Sequence, residues 1–303
     1  MDILQTAGYE TSIAQNTNFT EANMKASRLM HRGVWAAALF LTIGGSVAAQ
    51  PIKEEYKAKE EFKPQVGQEG KDVVWVPTPQ ALVDKMLDLA KVTPQDYVID
   101  LGSGDGRTVI TAAKRGVRAL GIEYNPDMVE LSKRNAAKEG VTDKAQFMKA
   151  DLFETDFSKA TVITMFLLPE INLKLRPKIL DMKPGTRVVS NSFTMGEWED
   201  DETAHVTTDC SSWCTAHFWI VPAKVQGAWK MPQGELELKQ QFQMISGTFK
   251  NGGKSFPVKG RLRGDQITFS AGEAQYTGKV NGDKMEGAAK GGSGNWSATR
   301  SGK

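Results

Sequence analysis

Cysteine is almost absent from these 303 residues: the two that occur, Cys210 and Cys214, fall together in "DCSSWCTAHFW". So few thiols leave one pair to form a single disulfide, closing a hairpin. A zinc site would also need His205 and His217. On extended strands, His205–Cys210 and Cys214–His217 are odd offsets, so each histidine points away from its neighbouring cysteine. No metal is expected. An excess of one charge is missing too. Thirty-eight basic and 36 acidic residues give a formal charge of +2, and no overall field to attract a nucleic acid. Hydrophobic residues at 40% and charged residues at 24% exclude both a disordered chain and an integral membrane bundle. The length suits one large domain and a smaller one, or two of comparable size.

One apolar run stands out. From Met24, "MKASRLMHRGVWAAALFLTIGGSVAAQ" places Lys25, Arg28 and Arg32 before the uncharged Gly33–Ala49, which ends in small residues. This is the order of a secretory signal peptide cleaved after Ala49, with residues 1–23 as an extension upstream of a start at Met24 or Met30. The other reading is an uncleaved anchor over residues 33–49, whose length of about 17 residues is at the low edge for a bilayer span. Either way the basic flank places the remainder outside the cytoplasm. The expected location is exported, periplasmic or extracytoplasmic, or else membrane-anchored. Residues 50–72, charged and without an apolar face, read as a linker.

From 73 to 223 strands alternate with helices, the pattern of an α/β sheet with crossover helices. "TPQALVDKMLDLAKV" predicts an amphipathic helix with Thr78 as N-cap and Pro79 at the first helical position. Strands follow at "YVIDL", "RALGIE", "AQFMKA", "TVITMF" and "RVVSNSF". Between them "RTVITAAKR", "PDMVELSKRNAAKEG" and "INLKLRPKIL" read as helices, the last with a break expected at Pro177. "HVTTDC" and "TAHFWIVP" close the sheet as a hairpin. Residues 224–303 change texture: short alternating segments, many glycines and an internal repeat, "GRLRGDQI" and "GKVNGDKM". Each repeat puts Gly-Asp where a tight turn needs positive φ. That turn explains Arg263-Gly264-Asp265 more simply than cell adhesion does, because Asn281-Gly282-Asp283 repeats it. The expectation is an antiparallel meander or small barrel.

"DLGSGDGR" concentrates glycine where the first strand hands over to a helix. A dinucleotide fingerprint would need a third glycine at position 107, which is Arg107, and no Gly-Lys-Ser/Thr closes a P-loop. What is present, acidic-x-Gly-x-Gly-x-Gly from Asp100 to Gly106, resembles the motif of class I S-adenosylmethionine-dependent methyltransferases. Glu123 ends the second strand and Asp151 follows the third, as that family's pattern requires. The resemblance implies a Rossmann-like seven-stranded sheet and S-adenosyl-L-methionine as cofactor. It implies backbone approach at Gly102, Ser103 and Gly104, Asp100 at the methionine ammonium, Glu123 at the ribose and Asp151 at the adenine amine. "WVPTPQALVDKMLDLAKV", "TVITMFLLPEINLKLRPKIL" and "VVSNSFTMGEW" narrow it to the FAM173-type family. Its characterised members are protein lysine N-methyltransferases, which implies a protein substrate, at or outside a membrane given the N-terminus.

On the acceptor side, "FLLPE" stands where enzymes methylating nucleic-acid amines carry Asn/Asp-Pro-Pro-aromatic, which argues against a DNA base. Carbonyls at Leu167 and Leu168 are candidates to orient an amine. Glu170 is a candidate base or else a helix N-terminal residue favoured by the dipole. Val76–Thr78 either covers the cofactor or simply starts the helix, and Trp198 either lines an acceptor channel or packs. Two function classes stand: an active methyltransferase, or an exported non-catalytic binding protein that keeps the fold and uses the β domain for interaction.

Overall fold

A computed structural model describes residues 61–291 and 294–302. The signal-peptide or anchor segment lies outside the described residues. Helix α1 (Gln80–Leu89) buries Leu82, Val83, Met86 and Leu87 on one face. Strand β1 (Tyr97–Leu101) is apolar on both faces and is buried on both, as a central parallel strand requires. Then come α2 (Arg107–Lys114), β2 (Arg118–Glu123), α3 (Pro126–Lys138), β3 (Ala145–Lys149), β4 (Val162–Met165) and α4 (Pro169–Leu180). β5 (Arg187–Asn191), β6 (Glu202–His205) and β7 (Thr215–Ile220) complete the sheet. Its order is β3-β2-β1-β4-β5-β7-β6, with β7 antiparallel to both neighbours. The chain leaves β1 toward β2 on one side and returns to β4 on the other. Ligands of doubly wound sheets bind in the crevice that such a reversal opens.

Three local expectations change. Thr78 is not the N-cap: Pro79 holds ψ at 138°, so the helix starts at Gln80. The Thr78 hydroxyl instead accepts from Asn191 Nδ2 at 3.2 Å. Helix α4 runs through Pro177 unbroken, because the proline falls in the last turn and forfeits one hydrogen bond near the helix end. The strand expected at His205–Cys210 lies earlier, at Glu202–His205, and residues after it form the loop closed by a Cys210–Cys214 disulfide. With both sulfurs in that bond, the zinc alternative loses its thiolates.

The C-terminal region is a closed barrel of eight antiparallel strands: β8 (Gly227–Met231), β9 (Gly234–Gln241), β10 (Met244–Asn251), β11 (Lys254–Arg263), β12 (Gln266–Ala271), β13 (Ala274–Asn281), β14 (Lys284–Lys290) and β15 (Gly294–Arg300). Pairing of Thr299 with Lys230 closes it. Alternation fills the interior with Trp229, Leu236, Leu238, Phe269, Tyr276 and Trp296. Gly264 and Gly282 turn β11 into β12 and β13 into β14 at φ 62° and 59°. The barrel docks on the sheet through Phe242, whose ring stacks on Trp198 at 6.1 Å. Beside it, buried Gln243 donates to the Glu199 carbonyl at 2.7 Å, and Arg261 pairs with Asp201 at 2.5 Å.

Candidate active site

The C-terminal ends of β1, β2 and β3 meet at one edge of the sheet, and the glycine turn after β1 crosses them. Gly104 shows why the residue must be glycine. Its φ is 54°, and a Cβ there would lie 2.6 Å from Nε1 of Trp75. Three carboxylates surround this turn, each held differently.

Asp100, at the end of β1, is 6% exposed. Thr164 donates to its Oδ1 at 2.6 Å, and no cation pairs with it among the described residues. Burial pushes its pKa up to about 7; the charges of Glu123 and Asp105 add to the rise, against the hydroxyls of Thr164 and Thr108. A buried carboxyl of this kind fits an incoming ammonium. Glu123, at the end of β2, accepts the Gly104 N–H at Oε2 and the Asn125 N–H at Oε1, both at 2.9 Å. These bonds fix the plane of the carboxylate and leave a lone pair on each oxygen for a ligand hydroxyl. Asp151, after β3, accepts from the Phe153 N–H at 2.9 Å and pairs with Lys71. The Lys71 hydrogen bond and that N–H hold its carboxyl below the usual range.

One cavity joins these groups. Asp100, Gly102, Ser103, Gly104, Glu123, Asp151 and Thr78 all line it. The Ser103 hydroxyl is buried without a partner among the described residues, pressed toward Gly121, where a Cβ would come within 2.5 Å of it. Glu170 is not in the lining: it stands exposed in the first turn of α4, the place where a helix dipole favours an acid. Trp198 is fully buried against Trp219 and Phe242, so it packs and lines no channel. The Leu168 carbonyl already accepts the N–H groups of Ile171 and Asn172 at the start of α4, while Leu167 lines the cavity.

Several lining residues were not anticipated. Residues 68–72, assigned to the linker by their charge, lie against the cavity with Lys71 at Asp151 and 4.8 Å from the Tyr124 ring centroid. Arg107, which breaks the dinucleotide pattern, has a structural task here. It pairs with Asp105 at 2.6 Å and donates to the Thr78 carbonyl at 2.8 Å, tying the segment before α1 to the glycine turn. The cavity therefore offers, strand by strand, a partner for an ammonium, for a pair of hydroxyls and for an exocyclic amine. S-adenosylmethionine carries these groups in that order, from its methionine through its ribose to its adenine.

The family description "ANTKMT methyltransferase domain" matches residues 100–202. A protein-lysine N-methyltransferase of Saccharolobus islandicus is 47% identical over 137 residues, 44% of this chain and 85% of that protein. The adenine nucleotide translocase lysine N-methyltransferase of Mus musculus is 33% identical over 39% of this chain, which spans 52% of the mouse protein. A solved structure named as an RNA methyltransferase from Salinibacter ruber, in complex with S-adenosyl-L-homocysteine, is 46% identical. It covers 50% of this chain and 96% of that one, with a TM-score of 0.47. None of these three alignments covers more than half of the chain. With its glycine turn and three carboxylates in place, and most of the archaeal enzyme's length matched at this identity, the chain belongs to the protein-lysine N-methyltransferase family of S-adenosylmethionine-dependent methyltransferases.

Proposed function

We propose that the protein transfers a methyl group from S-adenosylmethionine to the side-chain amine of a lysine in a protein that lies outside the cytoplasm or at a membrane. The observation that carries the cofactor half is the buried Asp100, a carboxyl with no cation paired to it among the described residues, in a cavity that Glu123 and Asp151 also line. When bound, S-adenosylmethionine supplies a methyl carbon activated by a cationic sulfur. The chain's part is to position. Asp100 takes the ammonium, Gly102 and Gly104 give backbone access, Glu123 accepts from the ribose hydroxyls and Asp151 from the adenine amine. Orientation of two reacting groups alone contributes about 7–11 kcal/mol when the pair is well aligned. A lysine amine must be neutral to accept methyl. A desolvated pocket favours that form, and the Leu167 carbonyl can orient its N–H.

Lysine is favoured over a nucleic-acid base by the curated relatives' names and by "FLLPE" in place of the base-amine motif. Export or anchoring rests on Lys25, Arg28 and Arg32 ahead of Gly33–Ala49. The Cys210–Cys214 bridge is in keeping with an oxidising compartment. Fractionation of cells expressing the full chain tests the location, and recovery in the cytosol would sink it. For the cofactor half, calorimetric titration of S-adenosylmethionine into wild type and Glu123→Ala is the test. Each charge-assisted hydrogen bond lost costs about 1.5–3 kcal/mol, so the variant should bind at least tenfold more weakly. Equal affinity would remove Glu123 from its role. A folded wild type that binds no cofactor would favour the non-catalytic alternative.

A further inference from the structure

The cofactor cradle uses the ends of β1, β2 and β3. Sheet order puts β4, β5 and β7 beyond β1 on the other side, so the acceptor must approach over their ends. Three aromatic rings meet there. Phe166 follows β4 and lines the cavity. Phe193 follows β5, 6.0 Å from Phe166 between centroids. Trp213, from the loop before β7, lies 5.7 Å from Phe166 and 5.5 Å from Phe193. This tryptophan is 45% exposed, so packing alone does not account for the cluster.

The backbone is bent to bring these rings together. Ser192 and Trp213 both adopt left-handed φ, 60° and 58°, a conformation that costs a non-glycine residue free energy and recurs at functional sites. The Cys210–Cys214 disulfide closes the loop around Trp213, and the Ser192 N–H donates to the Thr215 carbonyl at 2.8 Å, joining the loop to the end of β5.

We propose that Phe166, Phe193 and Trp213 form the wall that receives the acceptor lysine, with the disulfide loop as the device that positions Trp213. The inference rests on the lysine reading given above. Ring faces suit both parts of that side chain. The methylene stem packs on them, and the ammonium is attracted to the π face until its proton leaves. Ring faces also offer no strong hydrogen-bond donor, so they leave the neutral amine's lone pair free. Trp213 is tilted 57° and 48° to the two phenylalanine rings. Phe166 and Phe193 are 23° from parallel at 6.0 Å, so the tilted Trp213 turns their pair into a corner that a stem can enter.

The test uses the full chain, S-adenosylmethionine and a synthetic peptide pool with one central lysine flanked by random residues. A cation–π and packing contact of this kind predicts that Trp213→Ala raises the peptide KM about tenfold. Its kcat and cofactor affinity should stay within about twofold, and Trp213→Phe should restore most of the loss. Cys210→Ser with Cys214→Ser should move KM in the same direction and less far. An unchanged peptide KM in Trp213→Ala overturns the inference alone, as does a matching fall in cofactor affinity. A wild type that transfers methyl to an RNA oligonucleotide and not to the peptide pool, or to neither, overturns the lysine reading and this inference with it.

Discussion

The sheet and the barrel both depend on glycine, for opposite reasons. At Gly104 a Cβ would meet the Trp75 indole, a side chain that can move. The glycine there keeps space at the edge of the cavity. At Gly287 in β14 a Cβ would stand 1.9 Å from the Thr277 carbonyl oxygen and 2.4 Å from the Gly278 Cα. The obstacle is backbone, and the missing side chain is what lets two barrel strands approach. The sheet has Gly102, Gly104 and Gly106 in one turn at the end of β1, all at left-handed φ and next to buried Asp100. The barrel has Gly287 in its wall, around an interior filled by Trp229, Phe269, Tyr276 and Trp296. One region keeps a cavity open and the other keeps its interior closed.

Paired substitutions would break that comparison most directly. Gly287→Ala should destabilise the barrel by about 3 kcal/mol, the scale of overpacking against atoms that cannot yield. Chemical denaturation would show it, with cofactor affinity little changed. Gly104→Ala should do the reverse, cutting cofactor affinity at least tenfold by calorimetry while denaturation moves by about 1 kcal/mol. If both variants lost stability and binding alike, the two uses of glycine would not be distinct.

The next effect concerns Asp100. Folded, it keeps its proton up to about pH 7, whereas the unfolded chain releases it near the usual 3.8. Between those values the folded state binds more protons, so stability from this group is greatest below pH 4, falls as pH rises to 7 and is flat above. The fall is on the order of a few kcal/mol at most. Melting of the cofactor-free protein across pH 4–8 should show it, and Asp100→Asn should flatten the curve. A curve equally steep in the variant would place the titration elsewhere. The smallest effect is expected from Lys71→Met. Freeing Asp151 from an exposed ion pair should tighten cofactor binding about two- to fivefold, and weaker binding would mean that Lys71 itself holds the cofactor.

Much of this was legible in the sequence because the cradle is local. Asp100, the glycine turn, Glu123 and Asp151 each close a short apolar strand, and a parallel sheet brings consecutive strand ends together. The Gly-Asp turns of the barrel were legible for a similar reason, since a turn is read from two residues. The acceptor side was not. Phe166, Phe193 and Trp213 are separated by whole elements and meet only because β5 lies between β4 and β7. The arm over the cavity was hidden in a charged stretch with no period, and its contacts run from single side chains to strand ends. Thr78 misled because a Thr-Pro pair ahead of an apolar period usually marks a cap, whereas here Pro79 keeps an extended ψ. Trp198 could be placed only once the barrel's Phe242 was seen to cover it.

Closure of the barrel has a consequence for assembly. The pairing of β15 with β8 closes the barrel, which removes the long open ladder by which a sheet adds another chain's strand or seeds aggregation. Whatever docks on it must be read by the side chains that alternate outward. These include Glu235, Glu237 and Lys239 on β9 and Lys259 and Arg263 on β11. Recognition on this surface is therefore a matter of charge pattern, and it can be rewritten one residue at a time without disturbing the barrel's hydrogen bonds.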